Sequence, residues 1–519
     1  MEMSKRNTSE NPTQERTGNE YFLTDHLQAD LGARTARGGA VTVVSHSLRF
    51  VVAIAATGVM ARLLRPTDYG LIGMVAFFTN FVAMFKDLGL SVATIQKSVV
   101  SRDQVSTLFW LNVSFSVAVT LLTIAVAPFV AWFYGDPRLM AVTMVTAIGF
   151  VLGGLTVQHE ALLRRQMRFF SLMSIVVIST IVGYVVGIFM AWRGFSYWSL
   201  VFSQLSLLLA NTIGLWLVCR WRPGLPRRNS GVRSMVTFGR NFTGFSIINY
   251  FSRNLDNLLL GKVWGANELG LYNRAYQLMT LPIDQVNEPV TAVAIPALSR
   301  IKGEDQRYRQ AYLRMLEKIA MFTMPAVAFM MATSDWIVQI VLGPQWSATS
   351  RIFLLLGITG LFQPIANTTG WLFLTQDRSR HMLQWGFISG PLTIGSILLG
   401  LPWGAVGVAT SYALTRVLLT DPLLFWFVGR TGPVRTRDFY RTIAPFTLAS
   451  VVALGASSAV RSFINIHNPI AGLITLFITT GAITLLCLGA LPAGRLALVD
   501  IKRTVALMLK QRQEAVLVR

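Results

Sequence analysis

From residue 40 onward the chain is written in long apolar runs separated by short polar or basic stretches. A helix that crosses a bilayer needs roughly 20 mostly apolar residues. Runs of that kind occur at 40–62, 69–91, 104–132, 138–160, 169–192, 195–218 and 235–261. They continue at 268–296, 311–342, 348–374, 381–400, 404–428, 442–460 and 470–491. The pattern predicts an all-α integral membrane protein of about fourteen transmembrane helices. Residues 1–39 contain no such run and read as a polar cytoplasmic tail, so the first span is expected to be retained rather than removed as a signal peptide.

Composition agrees. Of 519 residues, 53% are hydrophobic and only 13% charged, about half the charge of a soluble domain, which excludes a water-soluble protein. Two cysteines, Cys219 and Cys487, both in apolar runs, exclude a disulfide scaffold and a cysteine-based zinc site. Neither a metal nor a cofactor is expected. The balance of 46 Lys+Arg against 24 Asp+Glu leaves +22. Nucleic-acid binding would need a solvated basic face, and most of this chain is apolar. The charge instead sets orientation, because Lys and Arg are retained in cytoplasmic loops. With the N-terminus inside, 31 of them fall in inner segments and six in outer loops. Both termini are therefore expected on the cytoplasmic side, with the surplus drawn to anionic inner-leaflet lipid. The outer loops are mostly too short for a catalytic domain, and no P-loop, H-E-x-x-H or G-x-S-x-G motif is present. That argues against an enzyme and excludes an ATP-driven pump on this chain.

The sequence repeats itself at an offset near 200. Leu64–Arg65–Pro66–Thr67–Asp68–Tyr69–Gly70–Leu71 aligns with Trp264–Gly265–Ala266–Asn267–Glu268–Leu269–Gly270–Leu271. The third span of each half carries a proline, Pro128 and Pro325. Each ends in a similar turn, Trp132–Phe133–Tyr134–Gly135–Asp136–Pro137 against Ile340–Val341–Leu342–Gly343–Pro344. An even number of spans per repeat gives both halves the same orientation. They should then form two six-helix lobes related by a pseudo-two-fold axis along the membrane normal, with a cavity between them. The expected division is an N-lobe at 40–218, a basic cytoplasmic linker at 219–234, a C-lobe at 235–428, two peripheral helices at 442–491 and a basic cytoplasmic tail at 492–519.

Charges inside spans are costly and should face a partner or water. Span 1 carries Arg49, on a face with Thr42, His46 and Thr57. Span 2 carries Lys86 and Asp87. Span 7 carries Asn249, Arg253, Asp256 and Asn257 as one polar stripe, in which Arg253 can pair with Asp256. Span 8 carries Asn273, Gln277, Thr280, Asp284 and Glu288, with Arg274 beside them, and prolines Pro282, Pro289 and Pro296 that can kink it. Span 12 carries Arg416 and Asp421. Arg49, Arg253, Asp256, Arg274 and Lys86 are the candidate substrate-binding residues. Asp284, Glu288, Arg416 and Asp421 are candidates for coupling an ion or lining the cavity. Plainer roles compete. Lys86, Arg314 and Lys318 can snorkel to lipid phosphates, Arg253–Asp256 can be a structural ion pair, and Arg416 with Asp421 can cap a kink at Pro422.

The chain resembles Wzx-type polysaccharide flippases, in the polysaccharide-transporter branch of the multidrug/oligosaccharidyl-lipid/polysaccharide exporter superfamily. The resemblance rests on Ala61–Arg62–Leu63–Leu64–Arg65–Pro66–Thr67–Asp68–Tyr69–Gly70–Leu71, Asp87–Leu88–Gly89–Leu90 and Ala93–Thr94–Ile95–Gln96. In the second half it rests on Asn254–Leu255–Asp256–Asn257–Leu258–Leu259–Leu260–Gly261, Leu269–Gly270–Leu271–Tyr272–Asn273–Arg274–Ala275–Tyr276 and Pro296–Ala297–Leu298–Ser299–Arg300. It implies a helical bundle that moves an oligosaccharide repeat unit on a polyprenyl pyrophosphate carrier across the inner membrane, for exopolysaccharide or lipopolysaccharide synthesis by alternating access. It also implies partners: the lipid-linked oligosaccharide itself, membrane lipid, and polymerase and chain-length or export proteins of the pathway, with no nucleic acid. An anionic pyrophosphate suits arginine, whose fork grips phosphate bidentately. A drug/cation antiporter of the same superfamily would want a cavity dominated by carboxylates and aromatics. A membrane-embedded polymerase or acyltransferase would want a long outer loop or a histidine-containing pair. A scaffold has no need of arginine inside spans.

Overall fold

A computed structural model describes residues 31–83, 100–226, 233–463, 468–492 and 494–500, without the side chains of 31–37, 40, 233–249 and 251–253. The described residues form helices and short connections. In chain order these are α1 (Leu31–Leu63), α2 (Pro66–Ala83), α3 (Arg102–Tyr134), α4 (Arg138–Gly154), α5 (Val157–Arg165), α6 (Phe169–Trp192) and α7 (Trp198–Val218). Then follow α8 (Arg233–Arg300), α9 (Asp305–Ala332), α10 (Ser334–Val341), α11 (Ser347–Thr375), α12 (Ser379–Gly400) and α13 (Gly404–Thr415). The last are α14 (Asp421–Gly429), α15 (Thr436–Phe463) and α16 (Pro469–Ala490).

The ends of these helices are set by recognisable chemistry. At the start of α3, Ser101 and Gln104 form a capping box, each side chain bonded to the other's backbone N–H. At its end Gly135 adopts φ 73°, a left-handed conformation that suits glycine. Within α8, Gly265 stands at φ 80° and ψ −175°, which is not helical. Sixteen residues of straight helix would hold Asp256 and Tyr272 about 24 Å apart, yet the Tyr272 hydroxyl donates to the Asp256 carboxylate at 2.9 Å. The chain therefore doubles back at Gly265, and 233–300 is two antiparallel helices. Helical geometry runs through Pro282, Pro289 and Pro296, so the break falls at the glycine and not at the prolines that sequence singled out.

Ten segments of the described chain are long and apolar enough to cross a membrane, and one of them, Ser379–Gly429, contains two of the expected spans. The segments expected at 69–91, 235–261 and 268–296 are not among the ten. The first is described only as far as residue 83, and the other two are interrupted by the charges and amides that make them interesting. The run expected at 311–342 divides into α9 and α10 at Thr333, and 138–160 lies in a candidate span, Arg138–Arg165, that a short turn divides into α4 and α5.

The chain forms two compact units, Met1–Tyr250 and Phe251–Arg519. In the first, α6 and α7 pack as a close hairpin. A Cβ on Gly187 would lie 2.7 Å from Ser203, so glycine is what permits that approach. In the second, α12 and α13 cross just as closely, with a Cβ on Gly407 falling 2.3 Å from the carbonyl of Gly400. Helix α15 lies along α9 and α16 along α15. The start of α15 is held by the Arg309–Asp438 ion pair and by Phe439, which stacks on Phe425 at 4.9 Å and meets Tyr312 edge-on.

Candidate functional site

The second unit holds a buried polar cluster where the antiparallel halves of α8 meet α13 and α14. Asp256 accepts hydrogen bonds from the Tyr272 hydroxyl and, at 2.8 Å, from the backbone N–H of Asn257. Tyr272 stacks on Tyr276, one turn along, with ring centroids 6.5 Å apart. Tyr272 also interacts with Tyr412 of α13. Arg416 follows Tyr412 by one turn, lies 6.0 Å from its ring and interacts with Tyr276 as well. Arg416 approaches Asp421 to 3.1 Å, and the Asp421 side chain is only 4% exposed. That approach is an ion contact without hydrogen-bond alignment, and both Asp421 carboxylate oxygens are buried with no donor.

Residues 416–420 form a π-helical turn. A widened turn places Arg416 and Asp421 on the same side although they are five apart, and such turns recur at functional sites. The turn ends two residues before Pro422, and no side chain among the described residues caps the start of α14 by a hydrogen bond. Uncompensated burial of two charges would be costly, and their pairing offsets it. The cluster thus joins three sequence candidates, Asp256, Arg416 and Asp421, through three tyrosines that sequence reasoning passed over. The signal was available: Tyr272–Tyr276 and Tyr412–Arg416 are both i, i+4 pairs.

The remaining candidates lie elsewhere. Asp284 and Glu288 are exposed farther along α8, with Gln277 on the same side, while Arg274 bonds the amide oxygen of Gln277. Arg49 is half-buried on α1 in the first unit, and its Nε is buried without a hydrogen-bond partner. Lys86 lies outside the described residues, as does the side chain of Arg253. Of the bases expected to snorkel, Lys318 comes within 3.6 Å of Asp500. No group of three or more His, Cys, Asp or Glu side chains among the described residues could hold a metal ion.

Each unit also ties its loops together through one carboxylate. In the first, Asp68 accepts from the Ser196 hydroxyl and, at 2.8 Å, from the backbone N–H of Arg65. In the second, Glu268 accepts from the backbone N–H of Ala405 at 3.2 Å, beside a bond from Trp264 Nε1 to the carbonyl of Leu401. Asp68 and Glu268 are the two residues that the offset of 200 aligns.

A family model described as "Polysaccharide biosynthesis protein" matches residues 59–351, more than half of the chain. The chain is 27% identical over 438 residues to the teichuronic acid biosynthesis protein TuaB of Bacillus subtilis, covering 82% of this chain and 89% of that one. It is 25% identical over 377 residues to the lipopolysaccharide biosynthesis protein WzxC of Escherichia coli, covering 71% and 75%. Its fold is similar to that of the lipid II flippase MurJ in an inward closed conformation, with a TM-score of 0.69 at 14% identity, over 87% of this chain and 98% of that one. With the match running from α1 through the doubled-back α8 into α11, this chain belongs to the polysaccharide biosynthesis protein family.

Proposed function

We propose that the protein is a flippase for a polyprenyl-pyrophosphate-linked oligosaccharide repeat unit, acting at a bacterial inner membrane with both termini in the cytoplasm. The family match carries this reading. Two physical features support it. Many helices are long and apolar enough to span a bilayer, and polar side chains that a bilayer would reject are gathered on α8 and α13–α14.

The proposed path runs as follows. The polyprenyl tail stays in lipid, and the sugar-pyrophosphate headgroup crosses through a wet, partly basic passage. Arg49, Arg253, Arg274 and Lys86 supply cationic contacts for phosphate, and Asp256 sets the charge balance around Arg253. Asp284 and Glu288 on the exposed face of α8, and the Arg416–Asp421 pair behind it, carry or sense a coupling ion as the protein alternates its access. Reaction chemistry is left to other proteins: glycosyltransferases supply the cargo, and a polymerase with chain-length or export partners consumes it.

The test is a deletion strain assayed for surface polysaccharide and for lipid-linked intermediates. Loss of surface polymer, with the repeat unit accumulating on its lipid carrier at the cytoplasmic face, is expected. Undiminished polymer in the deletion strain, with no rise in the intermediate, would overturn the reading.

A further inference from the structure

At one end of the second unit three connections meet: the segment after α8, the turn between α11 and α12, and the turn between α14 and α15. Lys302 pairs with Asp377 across the first two, and the Arg378 guanidinium donates to the carbonyl of Thr431 across the last two. Three of the four acids here are already engaged, and the fourth, Asp305, is exposed at the start of α9. Asp377 holds Lys302, Glu304 holds Arg307, and Asp438 holds Arg309 while also accepting from the backbone N–H of Arg435. Among the described residues, five exposed arginines, Arg380, Arg430, Arg435, Arg437 and Arg441, have no carboxylate within ion-pair distance. Like charges crowded at one corner repel and call for an anion.

The surface next to them says which kind. Arg430 lies over the ring of Trp426 at 5.1 Å, and Trp426 is 49% exposed. Phe425 meets the exposed ring of Tyr440 at 5.8 Å, so the end of α14 and the start of α15 stand side by side. At 100° per residue, Arg437, Tyr440, Arg441, Leu448, Val451 and Val452 fall within an arc of about 120° on α15. All six are exposed. One helix face thus runs from arginine through an amphipathic ring to bare aliphatic side chains within a few turns. A free phosphate or an acidic protein would use the arginines and leave the aliphatic strip unexplained. A phospholipid uses both, with its phosphate among the guanidinium groups and its acyl chains along Leu448, Val451 and Val452.

We propose that the α14–α15 corner is a binding site for the phosphate headgroups of anionic phospholipids. The site is independent of which cargo the protein carries.

The test uses the full chain, purified and placed in nanodiscs of phosphatidylcholine mixed with a minority of phosphatidylglycerol. Lipid retained through delipidation is then counted by mass spectrometry. The wild type should enrich phosphatidylglycerol, and Arg430→Ala with Arg437→Ala and Arg441→Ala should reduce that enrichment roughly fivefold or more, since each base near an anionic surface adds to binding. A variant losing as many charges elsewhere, Arg65→Ala with Arg193→Ala and Lys262→Ala, should retain wild-type enrichment. If the corner variant fails to fold, the wild type still decides: rising salt should release phosphatidylglycerol and leave phosphatidylcholine retention unchanged. Equal retention of both lipids by the wild type, or full enrichment in the folded corner variant, overturns the proposal. So does complete displacement of the retained phosphatidylglycerol by inorganic pyrophosphate at constant ionic strength, which would make the corner a free-phosphate site.

Discussion

The two units share their turns and differ in their interiors. In the first, Asp68 ties the α1–α2 turn to the α6–α7 loop through Ser196. In the second, Glu268 ties the doubled-back turn of α8 to the start of α13 through Ala405. Pro128 lies inside α3 and Pro325 inside α9, and left-handed glycines, Gly135 at φ 73° and Gly343 at φ 105°, stand at the matching connections. Inside, the units part company. The first buries neutral polar groups such as Asn112, Gln158 and His159 within its helices, and its buried charges, Asp68 and Arg165, stand at helix ends. The second gathers charge between helices, in the cluster of the half-buried Asp256 and Arg416 with the buried Asp421. A repeat can keep its scaffold because turns depend on a few backbone bonds, while buried charge is expensive and is retained only where it serves something. The second unit is where three of the candidate residues, Asp256, Arg416 and Asp421, come together.

The sharpest way to break this comparison is to remove one charge from the second unit's interior. Arg416→Ala leaves the Asp421 carboxylate buried alone, and stability should fall by about 3–5 kcal/mol. Adding Asp421→Asn should recover most of that loss. Thermal unfolding in detergent measures both, and an Arg416→Ala protein as stable as wild type would show that Asp421 is not held as an ion. A smaller effect is expected at Tyr272. Tyr272→Phe removes one of the two donors to Asp256 found among the described residues, which should cost about 1–3 kcal/mol. An unchanged unfolding temperature would mean the bond contributes nothing.

The loop ties come next, and they test what is shared. Asp68→Asn and Glu268→Gln should each destabilise by about 1 kcal/mol, and by similar amounts if the repeat is a common scaffold. A large loss at one site and none at the other would break the equivalence. The smallest effect concerns Asp136, in the α3–α4 connection. Bonding from Arg138, at 2.7 Å, holds its carboxyl below the usual carboxylate range. A depressed folded value means the contribution is complete above the unfolded value, near 3.9, and is lost as pH falls through the folded one. The melting difference between wild type and Asp136→Asn should therefore be small at neutral pH and vanish under strong acid. A difference that grew on acidification would have the wrong sign.

Much of this was legible in the sequence because spans, loop charges and the repeat are properties of runs, and runs survive any single exception. The span expected at 169–192 matches the bounds of α6, Phe169–Trp192. The doubling back at Gly265 was legible as the gap between two runs, and the alignment of 64–71 with 264–271 paired Asp68 with Glu268 without indicating that each ties two loops. What stayed hidden was which side chains meet. Span 7 offered Arg253 as the neighbour of Asp256, since both stand on one helix, whereas the bond to Tyr272 comes from the opposing helix and no spacing rule reaches across a hairpin. The three tyrosines were masked by their ordinary role as apolar filler. The widened turn at 416–420 was equally invisible, because its hydrogen-bond pattern depends on how α13 and α14 pack. Nor did the apolar runs indicate that α9 would yield to α10 at Thr333.

The central claim is that this chain by itself moves a lipid-linked oligosaccharide across a bilayer. The direct measurement places the purified protein in sealed vesicles containing a fluorescent polyprenyl-pyrophosphate oligosaccharide, and follows how much of it becomes reachable by a membrane-impermeant quencher or glycosidase. With an ion gradient or membrane potential imposed and no nucleotide present, the inner pool should become accessible at a rate that rises with the amount of protein. Accessibility no greater than in protein-free vesicles, from protein shown to be folded and correctly inserted, would contradict the account.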